Sequence, residues 1–479
     1  MRCMNVVCER SAFLSRGRQH VARALLGVLV LLFGFAYSRA DGPAPSDLPV
    51  DYSLHGISED YTPPEPDSEG YYYWKGNLHT HSLWSDGDQF PEVVTAWYKR
   101  HGYHFLALSE HNLLPRGEKW INPRTNRYAR RGGGMDVYEL YRKRFGDDWV
   151  ETREVNGELE VRLKPLQEFR PLFEEPGRFL MLESEEITIN EPGNRVHVNV
   201  TNIAELILPQ VRETIPATIE DTINTVLEQR ERTGQPMIPH LDHPNWRDGI
   251  PVEDMVEVEN LRFFEVYNGS RTAQNLGDGR TIKDLDRMWD IMLARRLGEL
   301  NLGILYGLAA DDAHDYEASA RHIVRPGRGW IRVRSRFLTP ERLIGAIEAG
   351  DFYASNGVTM RRIRSDGGQL SVEVEPEEGV TYTIEFIGTR RGYDTTREAV
   401  LNGTDRYSDE IGVVLETVEG AKATYTFQGD ELYVRAKITS SKPKENWATE
   451  GEMEMAWIQP VIPDAAAPDS PPTPPANQN

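Results

Sequence analysis

The chain has 479 residues, a formal net charge of −21, 39% hydrophobic and 27% charged residues, which fits an ordinary globular protein with room for two or three domains. So acidic a chain is ill suited to general nucleic-acid binding, which needs a basic face. Both cysteines, Cys3 and Cys8, stand near the start, so the rest of the chain offers no disulfide, thiolate metal ligand or cysteine nucleophile.

In chain order, Arg16, Arg18 and Arg23 precede an apolar stretch from Ala24 to Tyr37, and Ser38-Arg39-Ala40 follows. A basic segment, a short apolar segment and a small-residue cleavage site form the layout of a secretory signal peptide over residues 1–40. The apolar stretch is shorter than the ~20 residues a membrane span needs. No later segment is apolar enough to span, so the reading is an exported chain, periplasmic or secreted. Residues 41–70 are rich in Pro, Asp, Ser and Glu and read as a linker.

From Tyr71 to about residue 362, short apolar runs alternate with helical patterns. Phe105–Leu108, Phe179–Leu182, Phe263–Tyr267 and Leu302–Ala309 are strand candidates. A helix opens at Phe90-Pro91, a second covers Ala217–Arg232, and a third starts at the signal Thr339-Pro340-Glu341,. Such alternation predicts an α/β fold on a parallel sheet, open or closed into a barrel. Residues 115–175 break the pattern and read as an insertion near the functional rim. From residue 363 to 462 the pattern switches to period two, as in Leu370–Val374, Tyr382–Phe386, Thr424–Phe427 and Leu432–Ala436. That predicts a small antiparallel β-sandwich. Residues 463–479 are rich in Pro and Ala and predict a disordered tail.

The chemistry-bearing residues fall just after the apolar runs. They are His79-Thr80-His81, Ser85-Asp86-Gly87, Ser109-Glu110-His111, Glu185-Glu186-Ile187, Val196-His197, Asp242-His243-Pro244 and Asp312-Ala313-His314. In an extended segment the two imidazoles of H-x-H lie on one side and can reach one metal. Imidazole and carboxylate donors suit divalent Zn, Mn or Fe. Donors at the C-terminal ends of strands would share the rim where barrel enzymes work.

These motifs resemble the polymerase and histidinol phosphatase (PHP) superfamily of metal-dependent phosphoesterases, in its secreted form with a C-terminal β domain. The resemblance covers roughly residues 71–360 and rests on LHTHSLWSDG, ALSEHN, ESEEIT, RVHVNV, DHPNW and ADDAHD. It implies a distorted (β/α)7 TIM-like barrel followed by the β-sandwich. It also implies two or three divalent ions, with His79, His81, Glu186 and Asp312 around a first. Glu186 would bridge to a second ion held by His197 and His243, and Asp86, His111 and His314 would hold a third. Glu186, Asp312 and His243 become the expected catalytic positions. Glu185 and Glu186 must point to opposite faces of a strand, and the family pattern selects Glu186, before Ile187 and Thr188. The implied reaction is attack of a metal-bridging hydroxide on the phosphorus of a small phosphorylated substrate. The ions outweigh the three carboxylates, so the site attracts phosphate despite the acidic chain.

Neighbouring residues have plainer readings. Glu110 and His240 are expected to orient ligands, and Glu265 and Asn268 either to do so or to make a turn. Asp242, Asp311 and Asp315 read as solvated or loop-capping. Arg195, Arg247 and Arg321 are candidates for phosphate contact, set against a surface arginine paired with acid. His55, His101, His104 and His322 read as structural. Two other functions stay open: hydrolysis of an amide or lactone at the same site, and a non-catalytic protein that binds through its sandwich.

Overall fold

The computed structural model describes residues 64–463 apart from 132–136, 248, 281, 317–323 and 402. The expected signal peptide, most of the linker, the tail from residue 464, and His55, Arg321 and His322 lie outside the described residues. The elements run β1 (Tyr72–Asn77), α1 (Pro91–Arg100), β2 (Phe105–His111), β3 (Lys119–Ile121), α2 (Val137–Phe145), β4 (Thr152–Val155), β5 (Glu158–Leu163), α3 (Leu166–Phe173), β6 (Leu180–Glu191), β7 (Asn194–Thr201), α4 (Ile215–Thr233), β8 (Ile238–Leu241), β9 (Phe263–Asn268), α5 (Leu285–Gly298) and β10 (Tyr306–Ala310). Then follow β11 (Trp330–Ser335), α6 (Pro340–Glu348), β12 (Phe352–Ser355), β13 (Met360–Ser365), β14 (Gln369–Val374), β15 (Tyr382–Arg390), β16 (Arg397–Glu398), β17 (Arg406–Tyr407), β18 (Val413–Glu419), β19 (Lys422–Thr426), β20 (Glu431–Pro443) and β21 (Met453–Val461).

Helix boundaries follow local chemistry. The Thr214 side chain accepts from the Ala217 amide at 3.3 Å to start α4, and Gly234, with φ +69, ends it,. Thr339 caps α6 in the same way, with Pro340 in its first turn,. Helix α5 has no expectation attached, because apolar residues surround it. Its Trp289, Ile291, Met292 and Leu293 are all buried, and a helix covered on every side shows no one-faced stripe.

Thirteen strands join one sheet in the order β10-β9-β8-β7-β6-β2-β1-β11-β12-β21-β20-β15-β18. The expected closed (β/α)7 barrel is therefore corrected to an open sheet. Seven strands do follow one another from β10 to β1, but β1 already pairs with β11 along its far edge, Tyr72 opposite Ser335 through Gly76 opposite Ile331. With that edge taken, β10 cannot ladder onto β1. Only a single parallel bridge, Thr80 with Ala313, joins the segments that follow the two strands. Nor is the sheet wholly parallel: β6 and β7 form a hairpin, and β7 and β8 also run antiparallel.

The antiparallel pattern after residue 360 is present, but not as a free-standing sandwich. Strands β21, β20, β15 and β18 extend the large sheet, while β13, β14 and β19 form a second layer. Leu370, Val372, Ile384, Phe386, Ala436 and Ile438 pack between the layers. A further core joins α4 and α5 to Tyr433 and Trp457. The described residues of 115–175 form the small sheet β3-β5-β4 with α2 and α3, packed through Tyr141, Val161 and Phe169 on Phe90 and Val94.

Candidate metal centre

The Thr80–Ala313 bridge explains how the two short motifs meet. The His81 amide donates to the Ala313 carbonyl at 3.0 Å. With Thr80 beside Ala313, period-two alternation turns His79 and His81 from one segment toward Asp312 and His314 from the other,. The turn after His81 is held by Glu110, which accepts from the Ser82 amide at 3.1 Å and from the Ser82 and Ser85 hydroxyls. Gly87 closes it, since a Cβ there would stand 2.6 Å from the His81 carbonyl oxygen,. Asp86 is thereby carried to the cluster, with Oδ1 3.1 Å from His314 Nε2 and 3.3 Å from His111 Nε2.

Glu186 is the centre. Register places it opposite His111 across β2 and β6. The hairpin brings His197 back past it, opposite Thr188. Its Oε2 lies 3.3 Å from His79 Nε2, 3.2 Å from His81 Nε2 and 2.9 Å from His111 Nδ1. Its Oε1 lies 2.6 Å from His197 Nδ1 and 3.8 Å from His243 Nε2. Glu185 points the other way, where it accepts from the Ile207 amide at 2.9 Å. Asp312 Oδ1 stands 3.3 Å from His79 Nε2 and 3.4 Å from His81 Nε2. His243 and Asp312 take positive φ, +22 and +51. Strain at non-glycine positions persists where surrounding structure enforces it, and it gathers at functional sites.

All nine residues singled out from the sequence converge here. Their donor atoms fall into groups lying within 4.8 Å of one another: His81, Asp86, His111 and His314; His79, His243 and Asp312; His79, His81 and Glu186; and Glu186, His197 and His243. A fifth group, His79 with Asp242 and Glu265, lies on the other side of the His79 ring.

In that inner layer it is the sequence reading of Asp242 that falls short. Asp242 is buried rather than solvated, and so are Glu265, His240 and Asn268. Glu265 Oε1 sits 2.8 Å from His79 Nδ1, while its Oε2 accepts from the His243 amide and Asn268 Nδ2, both at 2.7 Å. One carboxylate therefore orients two donor residues. Asp242 Oδ1 accepts from Asn199 Nδ2 at 3.1 Å and faces His240 Nε2 at 3.2 Å. The only hint in the sequence is a Glu and an Asn on a strand otherwise apolar and aromatic. Asp311, also buried, accepts from Tyr98 Oη and from the Gly327, Arg328 and Gly329 amides. Asp315 is likewise buried, and accepts from the Val324 amide at 3.2 Å. Both therefore cap loops, but neither is solvated.

The donor set fits divalent ions. His81 Nε2, Asp86 Oδ1, Glu186 Oε1 and His197 Nδ1 are buried without an aligned hydrogen bond. They crowd other donors at 2.6–3.3 Å all the same. Buried polar atoms left unsatisfied are costly unless they share a partner. Burial would raise the Glu186 pKa, but His111, His197 and His79 hold it well below the usual range. Burial opposes charge on His79, yet Asp312, Glu265, Asp242 and Glu186 hold its pKa well above 6.5. His314 is pushed to about 9 by Asp86 against its burial. His197 goes the other way, to about 4, because burial outweighs Glu186. Imidazoles must be neutral to bind a metal, so binding would expel protons from His79 and His314.

The centre floors a cavity of about 770 Å³ whose walls include Arg131, Asn190, Trp246, Arg247, Ser270 and Thr272. Trp246 packs on His197 and His243, with ring centroids 5.2 and 5.5 Å away. The Arg247 guanidinium lies over the Trp246 ring at 4.4 Å. Among the described residues it has no acidic partner. Arg195 lines a smaller adjoining pocket. His101 stacks on Trp97, and His104 accepts from the Lys75 amide at 3.0 Å, both away from the centre.

No protein-family model matches the chain, and no curated protein matches it in sequence. Solved structures similar to it include the following two. One is a two-domain protein from Bacteroides vulgatus containing a predicted PHP-like metal-dependent phosphoesterase; identity is 13%, over 84% of this chain and 100% of that one, with a TM-score of 0.36. The other, from Bifidobacterium adolescentis, is assigned by its name to the metal-dependent phosphoesterases; identity is 11%, over 55% of this chain and 94% of that one, with a TM-score of 0.25. At these scores the functional reading rests on the geometry of the centre.

Proposed function

We propose that the chain is a metal-dependent phosphoesterase of the PHP type, acting on a phosphomonoester or a related small phosphorylated molecule. The observation that carries this is the division of Glu186: one carboxylate oxygen serves His79, His81 and His111, and the other serves His197 and His243. A carboxylate shared in this way suits a bridge between two ion sites. The four donor groups at the cavity floor would hold two or three ions of the Mn, Zn or Fe kind,. When bound, such ions supply a nucleophile at neutral pH and offset charge on phosphoryl oxygens. The chain's own part is to hold the donors. Glu265 fixes the His79 ring through Nδ1, and Glu110 fixes the turn that carries Asp86. Arg247, spread on Trp246, is placed to take a phosphate oxygen outside the donor groups,.

Purified protein should contain divalent metal by elemental analysis and hydrolyse phosphomonoesters in preference to amides or lactones. Chelation should abolish the activity and added Mn, Zn or Fe should restore it. Phosphatase activity indifferent to chelation, or a preference for amides, would defeat the reading. We also propose export, on the strength of residues 1–40; cell fractionation and the N-terminal sequence of the mature protein test it. Among the described residues no helix is long and apolar enough to cross a membrane.

A further inference from the structure

The two cavity-lining arginines stand at different ends of the centre. Arg247 lies on Trp246, which packs against His197 and His243. Arg131 belongs to the other end. Its Nη1 is 3.4 Å from the carbonyl oxygen of Asp86, the residue that gathers His111 and His314. Arg131 comes from the 115–175 region and lies over the Tyr128 ring at 4.8 Å, a ring it shares with Arg127 at 4.4 Å. Other arginines of that region are paired: Arg142 with Glu139, Arg153 with Glu160 and Arg162 with Glu168. Among the described residues no carboxylate pairs with Arg131. In a chain with 75 acidic against 54 basic residues, an unpaired guanidinium at a cavity wall is conspicuous. Asp315 is the acid on that wall outside the donor groups, and its Oδ2 is engaged by the Val324 amide at 3.2 Å.

We propose that Arg131 is a specificity residue that reads a second anionic group on the alcohol part of the substrate. The inference rests on the phosphoesterase reading and narrows it to phosphomonoesters of alcohols that also carry a carboxylate or a further phosphate. With the scissile phosphate at the donor groups and one of its oxygens on Arg247, the alcohol part extends toward the Asp86 end. There Arg131 is the guanidinium on the wall, and a guanidinium fork matches a carboxylate or phosphate in two hydrogen bonds.

The test uses matched probes on the metal-loaded full-length protein. Calorimetric titration compares benzylphosphonate with 4-carboxybenzylphosphonate, which cannot be hydrolysed. The carboxylate should tighten binding about tenfold, a charge-assisted bond at an exposed position. Arg131→Ala should remove that gain and leave benzylphosphonate binding and metal content unchanged, while Arg131→Lys should keep part of it. In turnover, Arg131→Ala should raise KM for 4-carboxyphenyl phosphate but not for phenyl phosphate, with kcat unchanged. No gain from the carboxylate in the parent protein, or an equal gain in Arg131→Ala, would overturn the proposal. Hydrolysis of neither ester, even with Arg131-dependent phosphonate binding, would defeat the phosphoesterase reading and this proposal with it, whereas loss of the carboxylate gain alone overturns only this proposal.

Discussion

Glu186 and Glu185 differ by one step along a strand, and that step separates a buried acceptor among imidazoles from a carboxylate tied to a backbone amide. Glu186→Gln should lose bound metal and activity together, whereas Glu185→Gln should keep the metal; elemental analysis beside a phosphatase assay reads both. Glu265 holds His79 without joining the donor groups at the cavity floor, so Glu265→Gln should cost roughly 10–100-fold in metal affinity or activity. Competition with a metal-sensitive dye would show it, and an unchanged affinity would make Glu265 a packing residue only. Glu92 illustrates a different balance. Tyr141 Oη and Trp149 Nε1 donate to it at 2.7 and 3.0 Å, yet burial raises its pKa to about 7 from 4.5. A raised acid keeps its proton in the native state while the unfolded chain releases it. Stability therefore falls as pH rises from about 4.5 to 7 and is level above, by about 3 kcal/mol for this shift,. Glu92→Gln should raise Tm at pH 8 and change it little at pH 4.5.

At the scale of elements, one edge of one strand decides the architecture. Because β11 occupies the far side of β1, the sheet opens there and the centre is completed by the Thr80–Ala313 bridge. Capping sets the positions of the helices behind the sheet. Asp284 accepts from the Arg287 amide at 2.8 Å at the start of α5. Asp284→Ala should cost about 1 kcal/mol, seen as a lower denaturant midpoint at unchanged slope. Motifs inside a single element were legible from the sequence for the same reason: the cap at Thr339 and H-x-H at His79 depend on neighbours a few residues away. The β6–β7 hairpin was not legible, because Glu186 and His197 lie on runs whose alternation is the same in parallel and antiparallel pairing.

For the whole molecule, the described residues belong to a single unit. Arg435 on β20 donates to Asp290 on α5 at 2.7 and 2.8 Å, and both are buried. Tyr433 Oη donates to the same carboxylate at 2.8 Å. Removing one partner strands a buried charge, so Arg435→Leu should cost about 3–5 kcal/mol. Calorimetry should show one unfolding transition for the parent protein; a separate transition for the region after residue 360 would contradict a shared core.

The sequence alone determined which donors exist, their spacing, the alternation that sends Glu186 and Glu185 to opposite faces, and the starts of α1 and α6. These are short-range consequences of backbone period and side-chain chemistry. The tertiary structure decided that the barrel stays open, that Asp242 and Glu265 form a buried layer behind His79, and that Arg131 reaches the cavity while Arg195 faces a side pocket. Each of these depends on residues distant along the chain. His79 and Glu265 are 186 positions apart, and nothing local to either residue specifies the contact.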